Sequence, residues 1–306
     1  MNRMILAAAL AAITAPLSAH TAAAASTAAF EPSRFSVVVV GKGPDVILIP
    51  GLSSTRHVWD LAAEHLKSGH RVHLIQLKGF GEPAGANATG PVLKPFVDEL
   101  AAYIAARKLS KPAVVGHSMG GLAALMLGAD HPALAGKLMI VDAFPFIGPV
   151  FGADSVEALA PRADQLRSMV MAQAGKTVPD YATPPACPAT LRAPDKVVGN
   201  MTNSGVGACL MRHGALASDP RVVGQAMHDD MMTDLRPRMK DLTVPVTMLY
   251  PQDDRLVSQA EADALYAAAY AGTRTLTLRR IAGSYHFIML DQPALFEKEL
   301  DAFLAR

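Results

Sequence analysis

The chain has 306 residues, of which 51% are hydrophobic and 18% charged, and its formal net charge is +1. This composition is typical of a globular protein with a large core, arranged as one large domain or two small ones, and it excludes an intrinsically disordered chain. Because the charge is nearly balanced and no dense cluster of lysine and arginine is present, nothing favours nucleic acid or an anionic lipid surface as a partner.

The N-terminal segment, residues 1–25, has the layout of a secretory signal peptide. Arg3 gives a positive start, small and apolar residues follow, and alanine-rich sites of the A-x-A type lie at residues 19–25. The apolar run is broken by Pro16 and is shorter than the ~20 residues that span a bilayer, so no stable membrane span is expected. We expect an exported protein, periplasmic or secreted, whose mature chain starts near residues 20–26. An uncleaved N-terminal anchor is the alternative.

Export affects how the cysteines are interpreted. Cys187 and Cys209 are the only two in the chain, and an oxidising compartment allows them to pair. Such a disulfide would stabilise the fold by roughly 3 kcal/mol in the chain-entropy model. The alternative is a pair of buried free thiols.

After the N-terminal segment, β-rich stretches alternate with helical ones. Helices are predicted at residues 92–108, 121–132 and 291–306. The strands are predicted at residues 35–40, 46–49, 71–77, 113–116, 137–142, 244–250 and 273–281. This alternation predicts an α/β fold with a doubly wound, mostly parallel sheet that helices cover on both faces.

The pattern changes between residues 148 and 240. This stretch has scattered proline and glycine, both cysteines and eight of the 15 methionines, without a strong strand signal. We predict a mainly helical cap inserted into a core formed by residues 26–147 and 241–306. Its methionines suit an adaptable apolar pocket, although any single one is more simply explained by core filling.

The segment "VVGHSMGG", residues 114–121, contains a G-x-S-x-G motif between a short apolar strand and a helix of small residues. A turn tight enough to lift the Ser118 hydroxyl above a sheet needs small neighbours, which Gly116 and Gly120 provide. His117 lies inside the turn and is expected to pack rather than react. A structural turn with an idle serine is the alternative.

On these residues the chain resembles the α/β-hydrolase superfamily, in which nucleophile, acid and histidine follow one another in that order. Ser118 comes first, the pair Asp253 and Asp254 follows the next-to-last strand, and His286 follows the last strand in "GSYHFIMLDQP". The resemblance implies an α/β-hydrolase fold in which His286 acts as the general base and acid of Ser118. A loop histidine bonded to backbone is the alternative for His286.

The segment "LIPGLSSTRHVWD" resembles the oxyanion loop of that superfamily. The resemblance assigns the oxyanion hole to the backbone N–H groups of Leu52 and Met119. Pro50 stands where many relatives have histidine, and Gln76 stands where an aspartate is common in the segment that begins "QLKGFGEP".

Three residues of the oxyanion segment are candidates for the substrate pocket. Ser53, Ser54 and Trp59 follow the strand end closely enough to line it. Packing or capping explains each of them equally well.

Three aspartates end or follow strands: Asp142, Asp253 and Asp254. The motif "SQAE" at residues 258–261 is a capping box that starts the next helix, and superfamily acids usually precede an apolar pair such as "LV" just before it. This register favours Asp254 as the acid that orients His286 and makes Asp253 a turn residue. Asp142 and Asp253 are the alternative acids: Asp142 because some members carry the acid one strand earlier, and Asp253 because it is the neighbour of Asp254.

A serine nucleophile with a histidine base predicts hydrolysis of carboxylic esters through an acyl-enzyme, with a small, apolar ester as substrate. No cofactor is implied, and no metal, since no histidine pair has the spacing of a zinc helix. A cofactor-free haloperoxidase and a C–C bond or amide hydrolase would use the same residues. A non-catalytic binding relative of the same fold is the alternative from another class. The sequence does not indicate an oligomeric state.

Overall fold

The computed structural model describes residues 30–175, 179, 186–188, 191 and 201–306. The predicted signal peptide lies outside the described residues and stays a prediction. None of the described helices is long and apolar enough to cross a membrane.

Seven strands form one sheet in the order β1-β3-β2-β4-β5-β6-β7. β1 is antiparallel to β3, and every other neighbouring pair is parallel. The predicted mostly parallel sheet is therefore confirmed. The strands are β1 Phe35–Gly41, β2 Asp45–Ile49, β3 Arg71–Leu77, β4 Ala113–His117, β5 Lys137–Val141, β6 Val246–Gln252 and β7 Leu276–Ala282.

Nine α-helices are present in the described residues. They are α1 Asp60–Leu66, α2 Leu93–Ala106, α3 Met119–Asp130, α4 Val156–Met171, α5 Gly205–Leu216, α6 Pro220–Met231, α7 Gln259–Ala269, α8 Ile288–Asp291 and α9 Pro293–Leu304. Short 3₁₀ helices occupy Arg56–Trp59, Gly85–Ala88, Gly148–Phe151 and Arg236–Asp241.

The central strands are apolar along their whole length because helices cover both faces of the sheet. In β2, Ile47 packs in one core cluster, with α2, α3 and α7, whereas Val46 and Leu48 pack in the other, with α1, α8 and α9. β4 alternates in the same way. This two-sided burial explains why the strands read as continuous hydrophobic runs.

The chain between β5 and β6 forms α4, α5 and α6, and the described residues there contain no strand. α4 and α6 pack on each other around Phe146, Leu159 and Met231. The Asp229 carboxylate of α6 accepts hydrogen bonds from the backbone N–H groups of Val92 and Leu93, at 2.6 and 3.0 Å, and so fixes the cap to the start of α2.

A disulfide joins Cys187 to Cys209, the latter on α5, with their Cα atoms 5.7 Å apart. It closes a loop across a sequence separation of 22 residues. Both cysteines lie in the cap, so the bond constrains the inserted segment rather than the sheet.

Candidate active site

Ser118 occupies a sharp turn between β4 and α3. Its backbone has φ 54° and ψ −127°, a left-handed conformation that is costly for a residue with a Cβ atom. A Cβ atom on Gly116 would lie 2.1 Å from the carbonyl oxygen of Gly120, and one on Gly120 would lie 2.5 Å from that of Ile49. The glycines of the motif are therefore required by close backbone approach, which places the serine at the carboxyl end of the sheet.

Ser118 and His286 line one cavity of about 560 Å³. The cavity opens where β4, β5 and β6 end, and cap residues of α6 and of the 3₁₀ helix Gly148–Phe151 close it from the other side. Its volume lies in the range of pockets that hold small molecules. The two residues expected to carry out nucleophilic catalysis thus share a small-molecule cavity.

Asp142, which follows β5, is the carboxylate that contacts the histidine. Its Oδ2 atom lies 2.6 Å from Nδ1 of His286. Asp142 has a positive φ of 46°, and its backbone N–H donates to Leu249 of the neighbouring strand β6. This turn of the backbone after β5 directs the side chain across the sheet edge toward the loop that follows β7.

The predicted contact between Asp254 and His286 is wrong. Asp254 is exposed, and its carboxylate accepts a hydrogen bond from the Gln252 side chain at 2.7 Å. The predicted capping box of Ser258 and Glu261 is present, so the register of the loop was correct. The prediction placed the acid after the wrong strand, because the carboxylate after β5 contacts His286 and those after β6 do not.

Asp253 has the role of a turn residue. It accepts a hydrogen bond from the backbone N–H of Arg255 at 3.0 Å and two from the Arg255 guanidinium at 2.7 Å. These hydrogen bonds from Arg255 lower the pKa of Asp253 to about 2. Asp253 is therefore an ionised group that already has its partner.

Tyr266 of α7 completes the environment of Asp142, a contact that the sequence analysis did not identify. Its hydroxyl donates to Oδ1 of Asp142, and its ring stacks on Phe144 and Tyr250 at centroid distances of 4.9 and 4.6 Å. Burial and the neighbouring Asp142 hold the pKa of Tyr266 well above its usual range, so it stays a donor. Each carboxylate oxygen of Asp142 thus accepts one hydrogen bond.

His117 packs behind His286, as expected for a residue inside the turn. Its Nε2–H donates to the backbone carbonyl of His286 at 3.0 Å, and its ring lies 4.5 Å from that of His286 and 4.7 Å from that of Phe287. Burial lowers the pKa of His117 well below its usual value, so the ring is neutral. His117 therefore fixes the backbone of the loop that carries His286.

The loop after β2 approaches the serine closely. A Cβ atom on Gly51 would lie 2.9 Å from the Ser118 Cβ, which leaves room only for glycine. Leu52 and Met119, whose N–H groups were predicted to form an oxyanion hole, both line the cavity beside Ser118. Gln76 is buried and ties this region together by accepting from the Arg56 N–H at 2.8 Å and donating to the Phe80 carbonyl.

The two weaker substrate-pocket predictions are not supported by the geometry. Trp59 is fully buried, with its ring 5.9 Å from that of Phe296, and belongs to the core beneath α1 and α9. Ser53 is not among the cavity-lining residues that the structure describes, whereas Ser54 is. Trp59 is a packing residue, because its ring is buried on one face of the sheet, whereas α3 packs on the opposite face.

Asp230 of α6 also lines the cavity, and no motif in the sequence indicated it. Within the part of the chain that the structure describes, its carboxylate makes no hydrogen bond or ion pair. Burial raises the pKa of Asp230 to about 7; the charge of His286 opposes the rise and that of Asp229 adds to it. The cap therefore places a titratable group in the same cavity as Ser118.

Three of the cap methionines line the cavity: Met201, Met227 and Met231. Others do not contribute to it, since Met169 is 59% exposed and Met239 is buried in the main core. The apolar wall is completed by Leu122, Phe144, Ile147, Val150, Phe151, Leu256, Val257, Leu265 and Phe287. The lining is mainly apolar, with a small number of polar groups around Ser118.

Several known proteins are similar to this chain in sequence. The chain is similar to a pimeloyl-[acyl-carrier protein] methyl ester esterase from Aromatoleum aromaticum, at 30% identity over 72% of this chain and 83% of the relative. A protein of the same description from Vibrio atlanticus is 26% identical over 72% of this chain and 80% of the relative.

Among solved structures, an esterase from Thermogutta terrifontis has a TM-score of 0.67 at 20% identity, with 89% of this chain and 93% of that chain covered. The enol-lactonase from Burkholderia xenovorans has a TM-score of 0.65 at 18% identity, with 89% and 96% covered. These structural similarities show that the chain has the same fold as those two proteins. The model of the alpha/beta hydrolase family matches residues 46–299, and by this match the chain belongs to that family.

Proposed function

We propose that this protein is a serine carboxylesterase that hydrolyses small, mainly apolar esters through an acyl-enzyme on Ser118. The observation that carries the proposal is the contact of 2.6 Å between His286 Nδ1 and Asp142, in a loop whose histidine shares a cavity with Ser118. A carboxylate on Nδ1 fixes the tautomer that leaves Nε2 free to accept a proton.

In the proposed reaction, Nε2 of His286 takes the Ser118 proton while Oγ attacks the ester carbonyl carbon. The N–H groups of Leu52 and Met119 donate to the resulting oxyanion. Collapse of the tetrahedral intermediate breaks the bond to the alcohol oxygen, and His286 returns its proton to that oxygen. Water then attacks the acyl-enzyme by the same steps and releases the acid.

The substrate class is inferred from the cavity wall and the relatives. A cavity of about 560 Å³ with mainly apolar lining suits an ester whose acyl or alcohol part is apolar and of modest size. The relatives in Aromatoleum and Vibrio are methyl ester esterases by description, which supports a carboxylic ester as the bond that is cleaved. Methionines in the wall allow it to adapt to several acyl groups.

Labelling with a fluorophosphonate tests the nucleophile directly. Attack by Oγ of Ser118 on phosphorus forms a Ser118–phosphorus bond and expels fluoride, with the proton passing to His286. We expect stoichiometric labelling of the native enzyme on the peptide that contains Ser118, and none after heat denaturation, read by peptide mass spectrometry.

Enzyme from the same preparation is assayed before and after labelling with p-nitrophenyl acetate, butyrate, octanoate and palmitate. We expect butyrate or octanoate to give the highest kcat/KM, because a palmitoyl chain exceeds a small-molecule cavity. Absence of label on Ser118, or full hydrolysis by labelled enzyme, would contradict the proposal.

We further propose that the protein is exported. The signal-peptide pattern of residues 1–25 supports this, as does the Cys187–Cys209 disulfide, since such bonds persist in oxidising compartments. N-terminal sequencing of protein recovered from the periplasm or medium of a bacterial host is expected to find a start between residues 20 and 26. Recovery of the whole chain, starting at Met1, in the cytoplasmic fraction would contradict export.

A further inference from the structure

Apart from His117 and His286, the ionisable side chains that carry charge around the cavity are carboxylates. Asp142, Asp230 and Asp253 line it, and no lysine or arginine is among the lining residues that the structure describes. The Asp142 carboxylate is hydrogen-bonded to His286 and Tyr266, and the Asp253 carboxylate is paired with the Arg255 guanidinium. Asp230 alone of the three has no partner in the described part of the chain.

An unpartnered carboxylate at such a place is unfavourable for the fold. Asp230 is half-buried at the cavity wall, and shielding an ionised group from water even in part costs free energy unless a partner or hydrogen bonds compensate. The neighbouring Asp229 shows what a structural carboxylate on α6 does, because it accepts from two backbone N–H groups and from Gln225. Asp230 has no such role, which leaves its cavity-facing carboxylate available for a ligand.

Aromatic rings line the same cavity. Phe144 and Phe287 line it; the ring of Phe144 stacks on one face of Tyr266, whose other neighbour is Tyr250, and the ring of Phe287 lies 4.7 Å from that of His117. Aromatic faces attract alkylammonium groups through their quadrupole, and a nearby carboxylate adds direct charge attraction. An anionic substituent would meet repulsion from Asp230 and find no lysine or arginine in the described lining.

We infer that Asp230 is a specificity-determining residue that selects esters carrying an alkylammonium group, held between its carboxylate and the aromatic wall of the cavity. The inference rests on the proposed function, since it names the substrate class of the same site. Ser118 and His286 would act on the ester bond, and Asp230 would bind a part of the substrate that does not react.

Binding to the Ser118→Ala variant tests the inference without turnover. Acetylcholine is compared with 3,3-dimethylbutyl acetate, a neutral ester of nearly the same shape, by isothermal titration calorimetry at pH 8, where a carboxyl of pKa about 7 is ionised. We expect the cation to bind at least ~10-fold more tightly than the neutral ester. Adding Asp230→Asn should reduce this ratio to about one.

Two further variants distinguish the role of Asp230 from the effect of removing any cavity carboxylate and from poor folding. Asp253→Asn removes another cavity carboxylate, but one already neutralised by Arg255, and should leave the ratio unchanged. Asp230→Glu keeps the charge and should keep a preference for the cation even if Asp230→Asn folds poorly, which circular dichroism checks.

The results distinguish the two proposals. Equal binding of the two esters to the Ser118→Ala protein, or a preference that survives Asp230→Asn, would overturn the inference and leave the esterase proposal intact. A preference that depends on Asp230, in a protein whose wild type hydrolyses neither these esters nor the p-nitrophenyl esters, would support the binding site and overturn the proposed reaction.

Discussion

Replacing Ser118 with alanine is expected to lower kcat for p-nitrophenyl butyrate by about a million-fold, to the level that substrate binding and the oxyanion donors alone provide. The reason is that Oγ of Ser118 is the proposed nucleophile, and an alanine side chain has no group that can form the acyl-enzyme. The strained backbone at φ 54° is unaffected, because alanine also carries a Cβ atom and meets the same steric conditions. The loss of activity is therefore expected to come from the missing hydroxyl alone, without a change in melting temperature.

Ser284→Ala is the matched control for this change. Ser284 also lines the cavity, but its hydroxyl donates to the Ile281 carbonyl at 2.7 Å and is tied to the loop. We expect its kcat to stay within about tenfold of wild type, with a stability loss of about 1 kcal/mol from the lost hydrogen bond. Stopped assays measure kcat of the two purified variants, each checked for traces of wild-type enzyme. Thermal unfolding measures the change in stability. Activity retained by Ser118→Ala would remove the acyl-enzyme mechanism.

Asp142→Asn is expected to lower kcat by about ten-thousand-fold while leaving the fold intact. An amide in place of the carboxylate no longer stabilises the imidazolium of His286, and its NH₂ group favours the tautomer with the proton on Nε2. That tautomer cannot accept the Ser118 proton. Because Tyr266 donates to Oδ1, the amide oxygen of asparagine is expected to keep that contact and to present its NH₂ to His286.

Asp254→Asn and Asp253→Asn are the controls, since they change the two carboxylates that follow β6. Asp254 is exposed and Asp253 is paired with Arg255, so we expect each variant to retain kcat within about threefold of wild type. The pH–rate profiles of all three variants are measured with the same ester. A collapse of kcat in Asp254→Asn with little change in Asp142→Asn would show that the catalytic histidine takes a different partner in solution.

The parts of the site fixed by local chemistry could be predicted from the sequence. Gly116, Gly120 and Ser118 are constrained by backbone atoms only a few residues away or on the adjacent strand, so the short motif carries enough information. The central strands were also predictable, because burial on both faces makes them continuous apolar runs. His286 was found because it follows the last strand in chain order.

The acid could not be read in the same way, because its identity depends on how far each loop reaches across the sheet. Asp142 and Asp254 both follow parallel strands that end at the same edge, and local register cannot choose between them. One signal was available: Tyr266 lies on α7 and Tyr270 directly follows the helix, about one helical turn further on, and buried tyrosines need acceptors. Their hydroxyls bond to Asp142 and to the Ala143 carbonyl, both immediately after β5.

Residues without a motif were the hardest to place. A tryptophan near a strand end fits a pocket or a core equally well, and only packing against Phe296 assigns Trp59 to the core. Asp230 belongs to a helical cap whose position over the sheet depends on tertiary contacts such as those of Asp229 with α2. Its location in the cavity was therefore outside the reach of sequence reasoning.

The position of the acid after β5 leaves the loop after β6 without a part in the catalytic contacts. That loop still lines the cavity through Asp253, Leu256 and Val257. The hydrogen bonds between Arg255 and Asp253 stabilise the shape of the loop. The proposed catalytic residues and one wall of the cavity therefore belong to separate segments of the chain. We expect that exchanging Leu256 and Val257 changes the substrate range, while the contact between His286 and Asp142 stays as it is.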